Sequence, residues 1–449
     1  MKQQGRRGMR ALAVVAAVSS ATVGLLAVGA SAQAGSAPGV TDNSVKIGFI
    51  SAETGVAAAN FVGAPKGCKA RIDAENAKGG VNGRKIDLVT IDDKSSGANL
   101  TAAKDLVQNQ NAFAVVNDSP FGFLTYRYLV DAGVPMIGGG FDGSYYYDQG
   151  NEDVISSLGD GTPVAGITTD TATNVMKKLG VKKVAAIGYG VSPSSSETAR
   201  ATVQYAAKAS GLKPGYLNNS VDFGSTDVGP IVLGIKNSGS DGVYLPLDSN
   251  TNFAVIQGLQ QNGVPMKATI SATGYSQDLL DQPIAKTISP HDVLQSSYKP
   301  VELNDPAVKK FVSNLKKYAG VTGVPNYGVY TGYITCDMVI TGLQNAGKNP
   351  TRKSFVDGLR NANNGIYDSA GLTCKPIDLS YAHYGKISST PGCIYYVTVK
   401  NGKFVPYNGG KPITGKTVGD PAIIKKYTES GGTGVATTTA PPTTGVTGG

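Results

Sequence analysis

Few residues in this chain are equipped for chemistry, and their spacing narrows the choice. His291 sits in Ser-Pro-His-Asp and His383 in Tyr-Ala-His-Tyr, and neither has a second ligand at a metal-binding interval. With two histidines in 449 residues, a histidine-based triad or metal centre has little material. No Gly-x-Ser-x-Gly elbow and no phosphate-binding P-loop occurs. Gly138, Gly140 and Gly143 satisfy Gly-x-Gly-x-x-Gly, but a dinucleotide site needs a helix to open there so that its N-terminus meets the pyrophosphate. The following residues, Ser144 to Gly150, include three tyrosines and read as a loop, so a glycine turn at a cleft edge is expected. Asp92 and Asp93 follow a strand without a partner acid, which suits helix capping. These residues assign no catalytic group, no metal and no cofactor.

The elements that would position any site follow a repeating pattern. Val45 to Ile50, Ile86 to Ile91, Phe113 to Val116 and Val134 to Ile137 are short apolar runs rich in Val and Ile, and read as strands. Between them, Lys66 to Ala77, Leu100 to Gln110 and Phe121 to Asp131 have helical character. The series resumes with strands at Val184 to Ile187, Val243 to Leu245 and Thr269 to Ala272. Val228, Ile231, Val232 and Ile235 mark one face of an amphipathic helix, with Ser225 or Thr226 as its cap. Alternating strands and helices predict parallel sheets covered on both faces, and the length predicts two α/β lobes. The turn-forming run from Gly159 to Pro163 marks the first crossing between them, just after Leu158. Ligands in open α/β sheets bind beyond the C-terminal strand ends. That directs attention to the loops Ser51 to Asn60, Asn117 to Gly122, Gly138 to Tyr147, Tyr189 to Ser196, Pro246 to Asn252 and Ala272 to Gln277.

Charge and the chain ends bound the compartment and the partners. The formal charge is +9, but Lys2, Arg6, Arg7 and Arg10 lead an uncharged stretch from Ala11 to Ala30 that ends in Ala-Ser-Ala-Gln-Ala. A basic start, an apolar run and a small-residue cleavage site predict a signal peptide, cut after Ala32 or Ala34. Its removal leaves 37 basic against 32 acidic residues, with no dense Lys/Arg stretch, which argues against a nucleic-acid partner. Export to a periplasm, cell envelope or extracellular space is expected, with no cysteine near the cleavage site to accept a lipid anchor. Beyond Glu429 the chain is Thr-, Pro- and Gly-rich and predicts a disordered tail. In an oxidising compartment the four cysteines allow three connectivities. Cys374 and Cys393 flank one local excursion and suit a pair. Cys336 lies on the stripe Val329, Tyr333, Cys336, Ile340, Leu343, so a bridge to Cys68 would staple two helices, the alternative being two buried thiols.

Several segments resemble the exported solute-binding proteins of ABC importers, in the branched-chain amino-acid (leucine)-binding group with the type I periplasmic binding fold. Val45 to Ile50 with Thr54-Gly55 is similar to the family's first strand and loop. Ala74-Glu75-Asn76-Ala77-Lys78-Gly79-Gly80-Val81-Asn82-Gly83-Arg84-Lys85-Ile86 is similar to its signature leading into the second strand. Ile91-Asp92-Asp93, Gly133 to Ile137, Asp222-Phe223 to Ile235, Asp241 to Tyr244 and Gly258 to Gly263 extend the resemblance over about Val45 to Tyr407. It implies two Rossmann-like lobes joined by a multi-strand hinge, with a ligand cleft between them. The expected boundaries are a signal peptide over 1–34 and a first lobe over 42–158 that returns over 297–370. The second lobe covers 159–296, the hinge and its C-terminal part cover 371–428, and the tail covers 429–449.

The resemblance also implies a ligand site, and this chain departs from it. The family's carboxylate-binding positions fall at Phe121 and at Gly140, Phe141 and Asp142, with Ser119 nearby; its ammonium anchor falls at Thr273. A tyrosine position of the second lobe is Asp248, and an aromatic of the first loop is Asn60. Asp142 would repel a ligand carboxylate and Thr273 carries no charge for an ammonium group. With Tyr189 and Tyr275 at further strand ends, these residues predict a ligand less anionic than leucine: neutral, amide-bearing, aromatic or cationic. The expected function is extracytoplasmic capture of a small polar molecule, an amino acid or amino-acid-like compound that is neutral or cationic, by hinge closure, as a monomer, and delivery to an ABC permease. The competing readings are an exported sensor domain for a membrane receptor and, more remotely, a secreted enzyme or a wall-structural protein.

Overall fold

A computed structural model of the chain describes residues 37–139, 144–146, 150–158, 166–225, 227–386 and 392–429. The predicted signal peptide, the tail beyond Glu429 and the turn 159–163 lie outside these residues. Among the described residues, no helix is long and apolar enough to cross a membrane.

The first sheet holds β1 (Ser44–Ser51), β2 (Lys85–Asp92), β3 (Ala114–Asp118), β4 (Met136–Gly138) and β5 (Val154–Ser156), all parallel, in the order β2-β1-β3-β4-β5. The second holds β7 (Lys183–Tyr189), β8 (Lys213–Val221), β9 (Gly242–Leu245), β10 (Ala268–Ser271) and β11 (Asp292–Ser296), parallel to one another. β14 (Gly392–Lys400) and β15 (Lys403–Pro406) extend it antiparallel, giving the order β15-β14-β11-β10-β9-β7-β8, and β16 (Ile413–Gly415) also pairs with β14. Two small antiparallel pairs complete the set: β6 (Ile167–Thr169) with β17 (Thr417–Gly419), and β12 (Ile366–Tyr367) with β13 (Ile377–Asp378). The central parallel strands are buried because both faces are covered, whereas the edge strands β2 and β8 are more polar; Ile47, Phe49 and Ile50 of β1 are all fully buried. The two-lobed α/β architecture expected from the strand-helix alternation is present.

In both sheets the connectivity reverses direction at one point. β1 leads to β2 on one side while β3 lies on the other, and β7 leads to β8 while β9 lies opposite. Such switch points leave a crevice beyond the strand ends. The loops at these crevices begin at Ser51 and Asp118 in the first lobe, and at Tyr189 and Leu245 in the second.

The chain returns to the first sheet after β11. Arg352, at the start of helix Arg352–Arg360, donates to the carbonyls of Phe113 and Ala112, each at 2.9 Å, and Phe355 packs edge-on against Phe113. Before it, the long helix Tyr327–Ala346 lies against helix Ala64–Asn76. Close approach is possible because small residues meet there: a Cβ on Gly332 would stand 2.0 Å from the Ala64 carbonyl oxygen. The disulfide Cys68–Cys336 joins these two helices, and Cys374 pairs with Cys393, as expected from the sequence. Beyond the disulfide, Arg71 pairs with Glu75 at 2.9 Å and with Asp337 at 2.5 Å. Asp337 also accepts from the Tyr367 hydroxyl at 3.0 Å, so this buried charge cluster is closed.

Three local expectations are corrected. The helix after β8 runs Gly229–Ser238, with Val228 as N-cap and no side-chain cap; Pro230 in its first turn presets the helical φ, so the start falls later than Ser225. Thr226 lies outside the described residues. The helix expected over Phe121 to Asp131 is a 3₁₀ turn, Gly122–Leu124, followed by helix Tyr126–Asp131. Thr125 breaks it because its hydroxyl is drawn inward to donate to Asn99 Oδ1. Asp92 and Asp93 cap no helix: helix Ala98–Gln108 starts at Gly97 without a side-chain cap, and both carboxylates bind loops instead.

Candidate functional site

On the first lobe, the strand ends are held by two polar assemblies. Asp92 accepts from the backbone N–H groups of Glu53, Thr54 and Lys94 and from the Thr54 hydroxyl, tying the loop after β1 to the end of β2. Burial alone would raise its pKa, but these donors outweigh it and hold the carboxyl below its usual range. Asp93 is fully buried and accepts from Asn99 at 2.8 Å, from Ser95 N–H at 2.9 Å and from the Ser119 hydroxyl. Asn99 and Asn117 exchange hydrogen bonds beneath it. Burial raises the pKa of Asp93 despite these bonds. Ser119, a predicted ligand contact, therefore donates to Asp93 and accepts from Phe121 N–H at 3.2 Å; its hydroxyl orders its own loop.

Deeper in the same lobe, Asp118 ends β3 with no exposed surface and no hydrogen bond to either oxygen. Burial raises its pKa to about 8, the nearby Thr331 hydroxyl opposes the shift, and the Glu53 charge adds to it. The Thr331 hydrogen is directed at the carbonyls of Tyr327 and Gly328 in its own helix. Burial thus favours the protonated, neutral form of Asp118.

On the second lobe, Tyr189 and Asp248 are brought into direct contact. Asp248 is the N-cap of helix Ser249–Gln261, accepting from Asn250 N–H at 2.8 Å and Thr251 N–H at 3.2 Å. Its other oxygen takes the Tyr189 hydroxyl and the Thr251 hydroxyl, the latter at 2.8 Å. All the accepting capacity of this 4%-exposed carboxylate is used within the lobe. Burial, then the neighbouring Asp248 charge, raises the Tyr189 pKa, so its hydroxyl remains a donor. Thr273 donates to the Leu247 carbonyl at 2.9 Å and accepts from Asn252 at 3.1 Å. Tyr275 turns away toward the lobe crossing: it donates to Glu302 at 2.6 Å, accepts from Val301 N–H at 2.8 Å and packs on Phe404.

Between the lobes the facing surface is aromatic. Phe121, Phe223 and Tyr327 pack against Ala52, Ala57 and Phe61, with Phe61 edge-on to Tyr327 at 6.0 Å and Phe223 at 4.5 Å from the Tyr189 ring. Asn60 reaches across and accepts from Ser249 N–H at 3.3 Å. The predicted residues Gly140, Phe141 and Asp142 lie outside the described residues. Sequence reasoning missed Phe61, Phe223, Tyr327 and Asp118. Phe61 stands one residue past the loop it singled out, and Phe223 falls in a segment used for the family resemblance.

Catalytic arrangements are not seen among the described residues. His291 is exposed, while His383 is half-buried at the edge of the first lobe beside Arg360 and Tyr384. No group of His, Cys, Asp and Glu there could hold a metal ion. Of the Gly138-x-Gly140-x-x-Gly143 run, only Gly138 is described; Ser144–Tyr146 then makes a single 3₁₀ turn.

Comparison with known proteins places this geometry among others. A family model described as periplasmic binding protein matches residues 44–403. Leu/Ile/Val-binding protein homolog 7 of Brucella abortus (strain 2308) is 26% identical over 334 residues, covering 70% of this chain and 80% of that protein. A fatty acid ABC transporter substrate-binding protein from Thermomonospora curvata superposes with a TM-score of 0.65 at 20% identity, over 87% of this chain and 96% of its own. A solute-binding protein from R. palustris in complex with benzoate gives 0.64 at 17% identity, over 85% and 99%. The branched-chain amino acid transporter substrate-binding protein from Streptococcus pneumoniae, in complex with isoleucine, gives 0.64 at 19%, over 83% and 100%. At these identities the solved structures establish likeness of fold.

Proposed function

The chain belongs to the periplasmic binding protein family, and from that premise we propose that it is an extracytoplasmic solute-binding protein whose ligand has an apolar or aromatic body and lacks an amino-acid zwitterion. The ligand is taken between the lobes, held as they close, and passed to an ABC permease. One observation carries the ligand class: Asp248, the acid at a predicted ligand position of the second lobe, is already fully engaged within its own lobe. A zwitterion needs a free acid for its ammonium group, because an unpaired buried charge is costly. Asp248, in the lobe opposite the carboxylate loops, gives its oxygens to Tyr189, Thr251 and two helix N–H groups. Thr273 offers no charge. The half-buried rings of Phe121 and Tyr327 remain to contact the ligand body.

The family's range supports such a ligand, since its solved relatives include a benzoate complex and a protein named for fatty acids as well as an isoleucine complex. Native mass spectrometry of the purified mature protein tests the reading. The expected spectrum carries a small added mass that is released on unfolding and belongs to a compound without an amino-acid group. Release of leucine, isoleucine or valine would overturn the ligand class.

A further inference from the structure

One segment of the first lobe, residues 52–61, which follows β1, touches the second lobe directly at the strand ends. Phe223, just beyond β8, lays a half-buried ring against Tyr189 in its own lobe and against Ala52, Ala57 and Phe61 in the other. Those three partners are at most 6% exposed. Next to it, Gly224 passes so near Val56 that a Cβ there would lie 3.5 Å from the valine side chain. The third contact is polar. Ser249 begins helix Ser249–Gln261, and its N–H, one of the donors that a helix start leaves without an internal partner, is taken by Asn60 of the opposite lobe at 3.3 Å. Asp248 already serves the next two N–H groups of that helix, so the cap of the second lobe is completed from the first.

We infer that Phe223 and Asn60 form an interlobe latch: an aromatic plug from the second lobe seated in an apolar socket of the first, with a clasp from the first lobe on the helix start of the second. Asn60 lies on the crevice loop after β1, and Phe223 rests on Tyr189, where the second-lobe crevice loop begins, so the latch closes over the ligand site. Opening the lobes withdraws the ring from Ala52, Ala57 and Phe61, exposes apolar surface on both sides and returns the Ser249 donor to solvent. Each change opposes opening. The latch thereby controls how often the cleft opens and how fast a ligand is exchanged, independently of which ligand is bound. Asn60, a ligand-contact candidate from the sequence, acts here on the opposite lobe.

This inference rests on the reading of the chain as a binding protein with closing lobes, and its test needs no ligand. Hydrogen exchange and small-angle scattering would be measured on the mature protein and on Phe223→Ala, Phe223→Leu and Asn60→Ala. Phe223→Ala is expected to speed exchange of amides in 52–61, in the opposite lobe, by about tenfold and to enlarge the radius of gyration. Phe223→Leu, which keeps an apolar plug, retains most of the protection. Asn60→Ala, made in the other lobe, speeds exchange at the start of helix Ser249–Gln261. Unchanged exchange across the lobes in both alanine variants, with unchanged scattering, overturns the latch. Ligand found by native mass spectrometry alongside unchanged exchange would leave the binding function standing without the latch; relaxed lobes with no ligand bound would do the reverse.

Discussion

Asp118 shows how far a single residue's role departs from its type. Fully buried and without a hydrogen-bond donor, it meets Glu53 from the loop after β1 and Thr331 and Tyr298 from the elements packed over β3. Its folded pKa of about 8 lies far above the unfolded value. The folded state therefore binds the extra proton, and the resulting stabilisation is complete below about pH 4 and lost as pH rises toward 8. Asp118→Asn, which keeps a neutral side chain, is expected to flatten that decline. Relative to wild type it should gain on the order of a few kcal/mol between pH 5 and 8.5, read by chemical denaturation across that range. Carboxylates held low, such as Asp92 and Asp241, act with the opposite sign, and the difference between the two proteins cancels them. The family resemblance marked Asp248 as a ligand position of the second lobe, but its carboxylate is consumed in capping. That depends on the Tyr189 and Thr251 hydroxyls meeting in space, and spacing along the chain does not reveal it. Asp118 was passed over because an acid at a strand end looks the same whether it is buried or exposed.

At the scale of elements, the contact between helices Ala64–Asn76 and Tyr327–Ala346 is the most demanding. Gly67 and Gly332 leave no room for a side chain, and the Cys68–Cys336 bridge and the Arg71 charge cluster lie along the same contact. Gly332→Ala raises intrinsic helix propensity by about 1 kcal/mol, yet its methyl group would meet the Ala64 carbonyl at 2.0 Å. Overpacking typically costs 1–3 kcal/mol, and a backbone partner on a disulfide-tied helix yields little, so a net loss of about 2 kcal/mol is expected in urea denaturation. A stability equal to or above wild type would show that the helices separate freely. The apolar period placed Cys336 on a buried stripe, and the helix bears this out. It is buried nearly all round, which a one-sided stripe understates. Boundaries were least legible where tertiary hydrogen bonds override local preference: Thr125 breaks its helix by turning inward to Asn99.

For the whole molecule, the strand-helix alternation made two parallel-rich lobes readable, and the switch points then located the crevice between them. Which surfaces meet across that crevice was not readable, since the contacts of Phe223 and Asn60 join residues remote in sequence and depend on how the lobes close. The central claim concerns what the crevice accepts: an apolar or aromatic body without the paired charges of an amino acid. Isothermal titration calorimetry of the mature protein with leucine, isoleucine and valine, and in parallel with uncharged aromatic amides and phenols, tests it most directly. No measurable heat is expected from the three amino acids, and saturable binding is expected within the aromatic set. Micromolar or tighter binding of leucine, with no response to the aromatic compounds, would contradict it.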